Sequence, residues 1–396
     1  MTFTPTRSAG LARLNDFVPR AGRIYADGRN ADHGPDARSN VSMLSPYIRH
    51  RLITEEEVVA AVLARHSGAV AEKFVQEVFW RTYWKGWLEM RPEVWTRFVN
   101  ERDGIERGSG LMKAIANAEA GVTGIEGFDD WARELIETGY LHNHARMWFA
   151  SIWIFTLKLP WTLGADFFLR HLVDADPASN TLSWRWVAGL QTAGKTYLAT
   201  ADNIARYTGG RFSPKGLARE AEALTEAPIA KAAPIGALPS VDLRTPALLL
   251  LTGEDLHPES LFAKDIAVRA VLAVPVVPGW PWGDKAAAFV SASADEARER
   301  AGKYFNCKTT TGAMNAEDVI AAAQAAKAKV VVTAYAPVGP VADALSAIKP
   351  ALQAAGLSLV TIRRAWDSAF WPHATKGFFP FKERLPALLG EMGMRF

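Results

Sequence analysis

The hydrophobic pattern changes its period part-way along the chain. Before residue 245 apolar positions recur at helical spacing; beyond it they gather into short continuous runs. Thr54 and Glu57 form a capping-box pattern, and Val58, Val59, Val62 and Leu63 follow on one helical face. Helices are expected over residues 73–90 and 129–138, with Gly139 breaking the second. Another begins near Tyr140 and continues through residues 148–157, and a short amphipathic one spans 165–172. Asp176 followed by Pro177 is a helix-start signal, an N-cap with Pro at the first helical position. Residues 1–38 mix Gly, Pro, Asp and Arg with little periodicity and read as an extended or looped lead-in. No strand is expected before residue 245.

Strand-like runs then occupy residues 247–251, 271–277, 330–333 and 357–362, separated by alanine-rich helical segments at 295–305, 316–328 and 340–355. Strands alternating with helices indicate a mostly parallel sheet. Pro275 makes its run an edge strand at best. Thr252-Gly253-Glu254-Asp255 is not the Gly-rich turn of a dinucleotide fold. Residues 221–243 are rich in Ala and Pro and read as an inter-domain linker. The fold class is therefore α and α/β: an all-helical domain over 1–220, the linker over 221–243, and an α/β domain over 244–396.

Composition narrows the function classes. The chain of 396 residues is 49% hydrophobic and 22% charged, with a net charge of +3, so it lacks the broad basic coat of a general nucleic-acid binder. Any DNA contact has to come from a local patch. Cys307 is the single cysteine, which excludes a disulfide within the chain and fits a cytoplasmic protein. No apolar run reaches the ~18 residues of a membrane span, and no secretory signal is expected from the polar N-terminus. The 14 tryptophans are unevenly placed: ten precede residue 190 and four follow 279.

Residues 139–186 carry the densest candidate chemistry. Asn143 and Met147 are four apart and share a helix face, with Arg146 beside them. Asp174 and Asp176 precede a helix on which Asn180 and Trp184 are again four apart. An Arg facing an Asp, together with an Asn amide, can clamp the donor–acceptor edge of a flavin or nucleobase. An internal Arg–Asp pair with capping carboxylates fits the same residues equally well. Ser39-Asn40-Val41-Ser42-Met43-Leu44-Ser45-Pro46-Tyr47 offers hydroxyls and backbone N–H groups suited to a phosphate, or to an ordinary ST-turn. His142, His144 and His171 lack partner ligands, so no metal site is expected. No Gly-x-Ser-x-Gly elbow or Cys/His nucleophile pair is present.

Together these motifs resemble the FAD-binding helical domain of the DNA photolyase/cryptochrome family. Residues 40–47 look like its flavin-phosphate loop, with Val41 where Thr is usual. Glu77-Val78-Phe79-Trp80-Arg81 looks like its Glu-x-x-Trp-Arg helix, followed here by Thr82 where the family usually has Glu. Residues 139–147 and 174–186 resemble its two flavin-ring motifs, and Lys195-Thr196-Tyr197 with Asn203-Ile204 its closing segment. The resemblance implies a U-shaped FAD whose phosphates rest on Ser42, Met43, Leu44 and Ser45. It places Arg146 with Asp174 beside the isoalloxazine, Asp176 at its polar edge and Asn180 at N5, and adds Tyr25 and Arg81 to the flavin site. Glu77, Trp80, Asn143, Met147 and Trp186 fall where cyclobutane-dimer photolyases hold the flipped lesion. Trp184 and Trp161 match the first two members of the family's electron-transfer chain. No Trp stands at the third place near Arg107, and Trp148 or Trp153 are candidates to substitute. The expected partner is damaged DNA, and the alternative is a cryptochrome-like blue-light receptor that signals through a partner. Residues 244–396 resemble the family's Rossmann-like α/β domain, which normally comes first. Phe378-Phe379-Pro380-Phe381-Lys382 resembles the Phe-Thr-Pro-Phe segment that follows that domain, which implies a circular permutation. No antenna-binding signature is recognisable around Tyr335-Ala336-Pro337-Val338-Gly339, so the resemblance lends an antenna chromophore no support.

Overall fold

The computed structural model describes residues 3–238, 242, 244–262 and 266–396. Part of the expected linker, residues 239–241 and 243, lies outside the described residues.

The expected looped lead-in is instead two short helices, α1 (Arg7–Phe17) and α2 (Arg23–Gly28). The Thr6 hydroxyl caps α1 by accepting from Ala9 N–H, and Leu14 and Phe17 are buried. Phe17 packs on Phe74 and Tyr25, so two or three anchors hold the segment without a periodic stripe. Then come α3 (Ser45–Arg49), α4 (Glu55–Arg65) and α5 (Gly68–Glu89). The capping box at Thr54 and Glu57 is formed in full. Two helices that the pattern left unassigned follow, α6 (Glu93–Gly104) and α7 (Ser109–Ala120).

Helix α8 (Phe128–Thr138) ends on Gly139 in the left-handed region, φ 69°. A Cβ there would also lie 2.4 Å from Val173 Cγ2, so only glycine permits the close approach. The Gly139 carbonyl accepts from Val173 N–H at 2.8 Å, which ties the two candidate ring motifs together. Helix α9 (Asn143–Ser151) begins three residues later than expected and widens into a π-turn at Ile152–Thr156. Helices α10 (Trp161–His171), α11 (Pro177–Val187) and α12 (Ala201–Tyr207) complete this half. Asp176 is the N-cap of α11, accepting from Ser179 N–H.

Residues 213–238 run without helix or strand against the helical half. Leu224 N–H donates to Ala188 O, Ala233 N–H to Met90 O, and Arg97 to the carbonyls of Ala227 and Pro228. Arg185, buried, pairs with Glu226. The stretch is strapped down rather than free.

The α/β part is a five-stranded, all-parallel sheet in the order β3-β2-β1-β4-β5. Its strands are β1 (Ala247–Thr252), β2 (Val268–Val274), β3 (Lys308–Thr311), β4 (Val330–Ala334) and β5 (Ser358–Ile362). The helices are α13 (Pro258–Leu261), α14 (Asp284–Phe305), α15 (Ala316–Ala325) and α16 (Pro340–Ala354). The edge position expected for the Pro275 run is overturned. β2 stops at Val274, one residue before the proline, so all its N–H groups are free to pair and it lies between β1 and β3. The true edge, β3, is a Lys-Thr-Thr-Thr run without apolar alternation, a composition that blunts an edge. Along β1 the side chains alternate: Leu249 and Leu251 join the core shared with the helical half, while Leu248 and Leu250 face α15 and α16.

The chain then returns to the helical half. Helices α17 (Ala365–Phe370) and α18 (Phe378–Lys382) cover α5, and α19 (Leu385–Glu391) follows. Trp366 stacks on Phe79 with centroids 5.0 Å apart. Its Nε1 donates to Thr82 Oγ1 at 3.0 Å. That bond explains the hydroxyl at position 82: a buried indole N–H needs an acceptor there.

Candidate functional site

The helices form a cavity of about 440 Å³, within the size range of ligand pockets. Ser42, Met43, Leu44 and Ser45 form one wall, with Met43 at φ 51° and Leu44 N–H facing Ser42 Oγ at 3.4 Å. From α5 come Glu77, Trp80 and Arg81, from α9 Asn143, Arg146 and Met147, and from α2 Tyr25. Asp174, Asp176, Asn180, Trp184 and Trp186 line the cavity as well. Every expected site residue except Trp161 therefore meets in this space.

The polar wall is a set of matched charges. Arg146 grips Asp174 with two bonds of 3.0 and 2.8 Å and also leaves its carbonyl neighbour Leu141 bonded to Nε at 3.0 Å. Burial alone would raise the Asp174 carboxyl; the Arg146 guanidinium outweighs it and holds the group below its ordinary range. Asp176 is fully enclosed, yet Lys85, Arg81 and Arg49 together drive its carboxyl far below that range. The nearest cations are Arg81 at 3.1 Å and Lys85 at 3.4 Å. Both aspartates are thus ionised at neutral pH. Asn180 gives its side-chain N–H to Ala165 O at 2.9 Å, which fixes the amide. Desolvation raises the Glu77 carboxyl above its usual range, against the nearby Arg29 and Lys73.

The aromatic wall is shaped by four ring contacts. Trp80 lies against Trp84, and Trp186 stacks on Tyr197 with centroids 5.6 Å apart. Trp184 stands edge-on to Phe168 at 5.1 Å and to Trp153 at 6.3 Å. Trp161 lies outside the cavity, buried against Phe98 at 5.8 Å. Of the two candidate substitutes, Trp153 touches Trp184, whereas Trp148 instead stacks between His144 and Trp131 and donates to Asn203 Oδ1. The histidines that lacked metal partners in sequence form no metal cluster among the described residues.

Sequence reasoning missed Tyr140, Trp84 and Phe168, which complete the walls. It also missed Lys85 beside Asp176. Lys85 was readable only as one more position on α5, four residues after Arg81, and the same spacing puts both cations on one face.

A helical domain holding a cation-balanced cavity walled by indoles is suited to binding a cofactor. Residues 74–216 match the family described as the FAD binding domain of DNA photolyase. The chain is 33% identical over 190 residues to a deoxyribodipyrimidine photo-lyase of Agrobacterium fabrum, covering 47% of this chain and 39% of that protein. It is 35% identical over 195 residues to one of Streptomyces griseus, covering 47% and 41%. A crystal structure of a bacterial class III photolyase from Agrobacterium tumefaciens shares 29% identity at a TM-score of 0.46, over 52% of this chain and 43% of that one. Residues 74–216 are thus similar to the FAD-binding domain of DNA photolyase, and the cofactor named for that domain is FAD. The match spans less than half the length of the curated relatives.

The cavity fits that cofactor on its own chemistry. Ser179 Oγ and Trp184 Nε1 are buried without a hydrogen-bond partner among the described residues, and both residues line the cavity. A polar ligand satisfies such groups where an apolar one leaves them costly. Arg146, Asp174, Asp176 and Asn180 would hold the flavin ring, and the loop from Ser42 to Ser45 the phosphates.

Proposed function

We propose that this protein repairs cyclobutane pyrimidine dimers in DNA, driven by light, with FAD bound in this cavity. The observation that carries the reading is that Glu77, Trp80, Asn143, Met147 and Trp186 line the same cavity as the flavin clamp. A lesion held by those five lies directly against a ring held by Arg146, Asp174 and Asn180. Bound FAD in its reduced form supplies an electron on absorbing light, and the protein's part is positioning. Trp80 and Trp186 offer ring faces to the flipped pair, whose weakened stacking lowers the cost of extrusion. Glu77, whose side chain stands at the cavity with Arg29 3.9 Å away, can hydrogen-bond the edge of a base. Trp184 is the cavity's link to Trp153 for returning electrons from the protein interior. The order of the parts, helical first and α/β second, supports a circular permutation of the family arrangement.

The alternative is a blue-light receptor that photoreduces its flavin and signals to a partner. The net charge of only +3 favours it, because DNA affinity rests mainly on phosphate neutralisation. The deciding experiment mixes purified, reduced, FAD-loaded protein with a dimer-containing oligonucleotide under blue light. Repair that requires light and drops at least about tenfold in Glu77→Gln supports the repair enzyme. Normal flavin photoreduction without repair or lesion binding selects the receptor. A colourless protein that takes up no added FAD refutes both.

A further inference from the structure

The segment that carries Asp174 and Asp176 is gripped from outside the helical domain. Arg49, the last residue of α3, is buried and donates from Nε to the Ala175 carbonyl at 2.7 Å, between the two aspartates. Its two terminal nitrogens donate to the Glu254 carboxylate at 2.7 and 2.6 Å. Glu254 lies just past β1, so this carboxylate belongs to the α/β part and does not line the cavity. His50 stands between the same two segments, Nδ1 2.6 Å from Gly253 O and Nε2 3.3 Å from Val173 O. Leu256 N–H adds a bond of 2.9 Å to His50 O.

A guanidinium is a planar fork whose donor directions are fixed relative to one another. With two nitrogens committed to Glu254, the direction of Nε is set, and with it the place of the Ala175 carbonyl. Asp174 and Asp176 flank that carbonyl and cannot move independently of it. Other buried pairs at the same seam do not reach the segment. Asp255 pairs with Arg364 at 2.6 and 2.8 Å, and Arg51 with Asp367 at 2.6 Å.

We infer that Glu254 is a positioning residue for the flavin-ring segment, acting through Arg49. This rests on the FAD reading of the cavity for its function, but not for its geometry. The test compares Glu254→Gln with Asp255→Asn, which removes a neighbouring buried carboxylate that does not contact residues 173–176. Amide hydrogen exchange is followed in the full chain without flavin, at Val173, Ala175, Ser179 and Asn180, whose N–H groups are all bonded. FAD affinity and the visible circular dichroism of bound flavin are measured alongside. In Glu254→Gln these amides are expected to exchange about tenfold faster relative to the sheet, with FAD binding about tenfold weaker and an altered flavin band. Unchanged exchange, or acceleration shared equally by Asp255→Asn, overturns the inference. Should Glu254→Gln not fold, Arg49→Lys takes its place, keeping the charge while losing Nε and the fork. A wild-type chain that binds no FAD sinks the functional reading, while the exchange pattern still decides whether Glu254 holds the segment.

Discussion

The rings of Trp80 and Phe378 lie nearly parallel, 12° apart with centroids separated by 3.7 Å. Trp80 lines the cavity from α5, and Phe378 opens α18. One face of the indole is therefore occupied from within the chain, and an incoming base has only the other part of the ring to stack on. Replacing Phe378 by Ala deletes a buried ring and is expected to cost about 3–5 kcal/mol, read from urea unfolding. In the fraction that remains folded, affinity for a dimer-containing oligonucleotide should fall while FAD affinity holds, because Phe378 does not line the cavity.

Asp174→Asn is expected to weaken FAD binding by at least about tenfold, which corresponds to ~1.4 kcal/mol. The amide keeps the shape but removes the charge that anchors Arg146, leaving the guanidinium free to turn from the ring position. Fluorescence of released flavin on titration checks it. An affinity equal to wild type would show that Arg146 is held in place by Leu141 O and Tyr140 alone.

Gly164 is the point where α10 lets two indoles meet. A Cβ there would lie 2.3 Å from Trp184 and 2.9 Å from Trp153. The backbone is ordinary helix, so Gly164→Ala carries no conformational penalty, and any loss comes from overpacking. The expected cost is about 1–3 kcal/mol, accompanied by a shifted tryptophan fluorescence maximum. A gain in stability, as helix propensity alone would give, would contradict the packing seen here.

Stability should fall steeply on mild acidification. Burial, aided by Arg49, lowers His50 from 6.5 to about 4, and burial likewise lowers His142, His171 and His257 to about 4. A histidine whose folded pKa is depressed stabilises the fold above its unfolded value. That contribution is lost as pH drops from about 6.5 toward 4, since the unfolded chain takes up protons that the folded chain refuses. Urea midpoints measured at pH 7.5, 6 and 5 should decline in that order. A flat profile across this window would mean that these imidazoles are charged in the folded state.

Much of the site was legible before any coordinates. Asn143, Arg146 and Met147 are set by helical spacing, and Asp176 with Pro177 by capping chemistry; α11 starts where expected, and α9 three residues late. The strands of the sheet were equally readable, because buried parallel strands are continuous apolar runs. What escaped was whatever lacked a periodic apolar stripe. The lead-in helices α1 and α2 rest on a few anchors, Leu14, Phe17 and Tyr25, and β3 is a polar edge. Pro275 misled because a proline bars only its own position from the ladder, and β2 ends just before it.

Local sequence alone determined the capped starts of α4 and α11, the four apolar strands and the residue types that face the cavity, since these depend on neighbours within one or two turns. Only the tertiary structure decided which distant groups complete them. Arg49 meets Glu254 across 205 positions and Thr82 meets Trp366 across 284. Phe378, not a ligand, covers Trp80. Such pairings are chosen by the need to satisfy buried donors and charges once the two halves close on one another, and no spacing along the chain encodes which partner will be there.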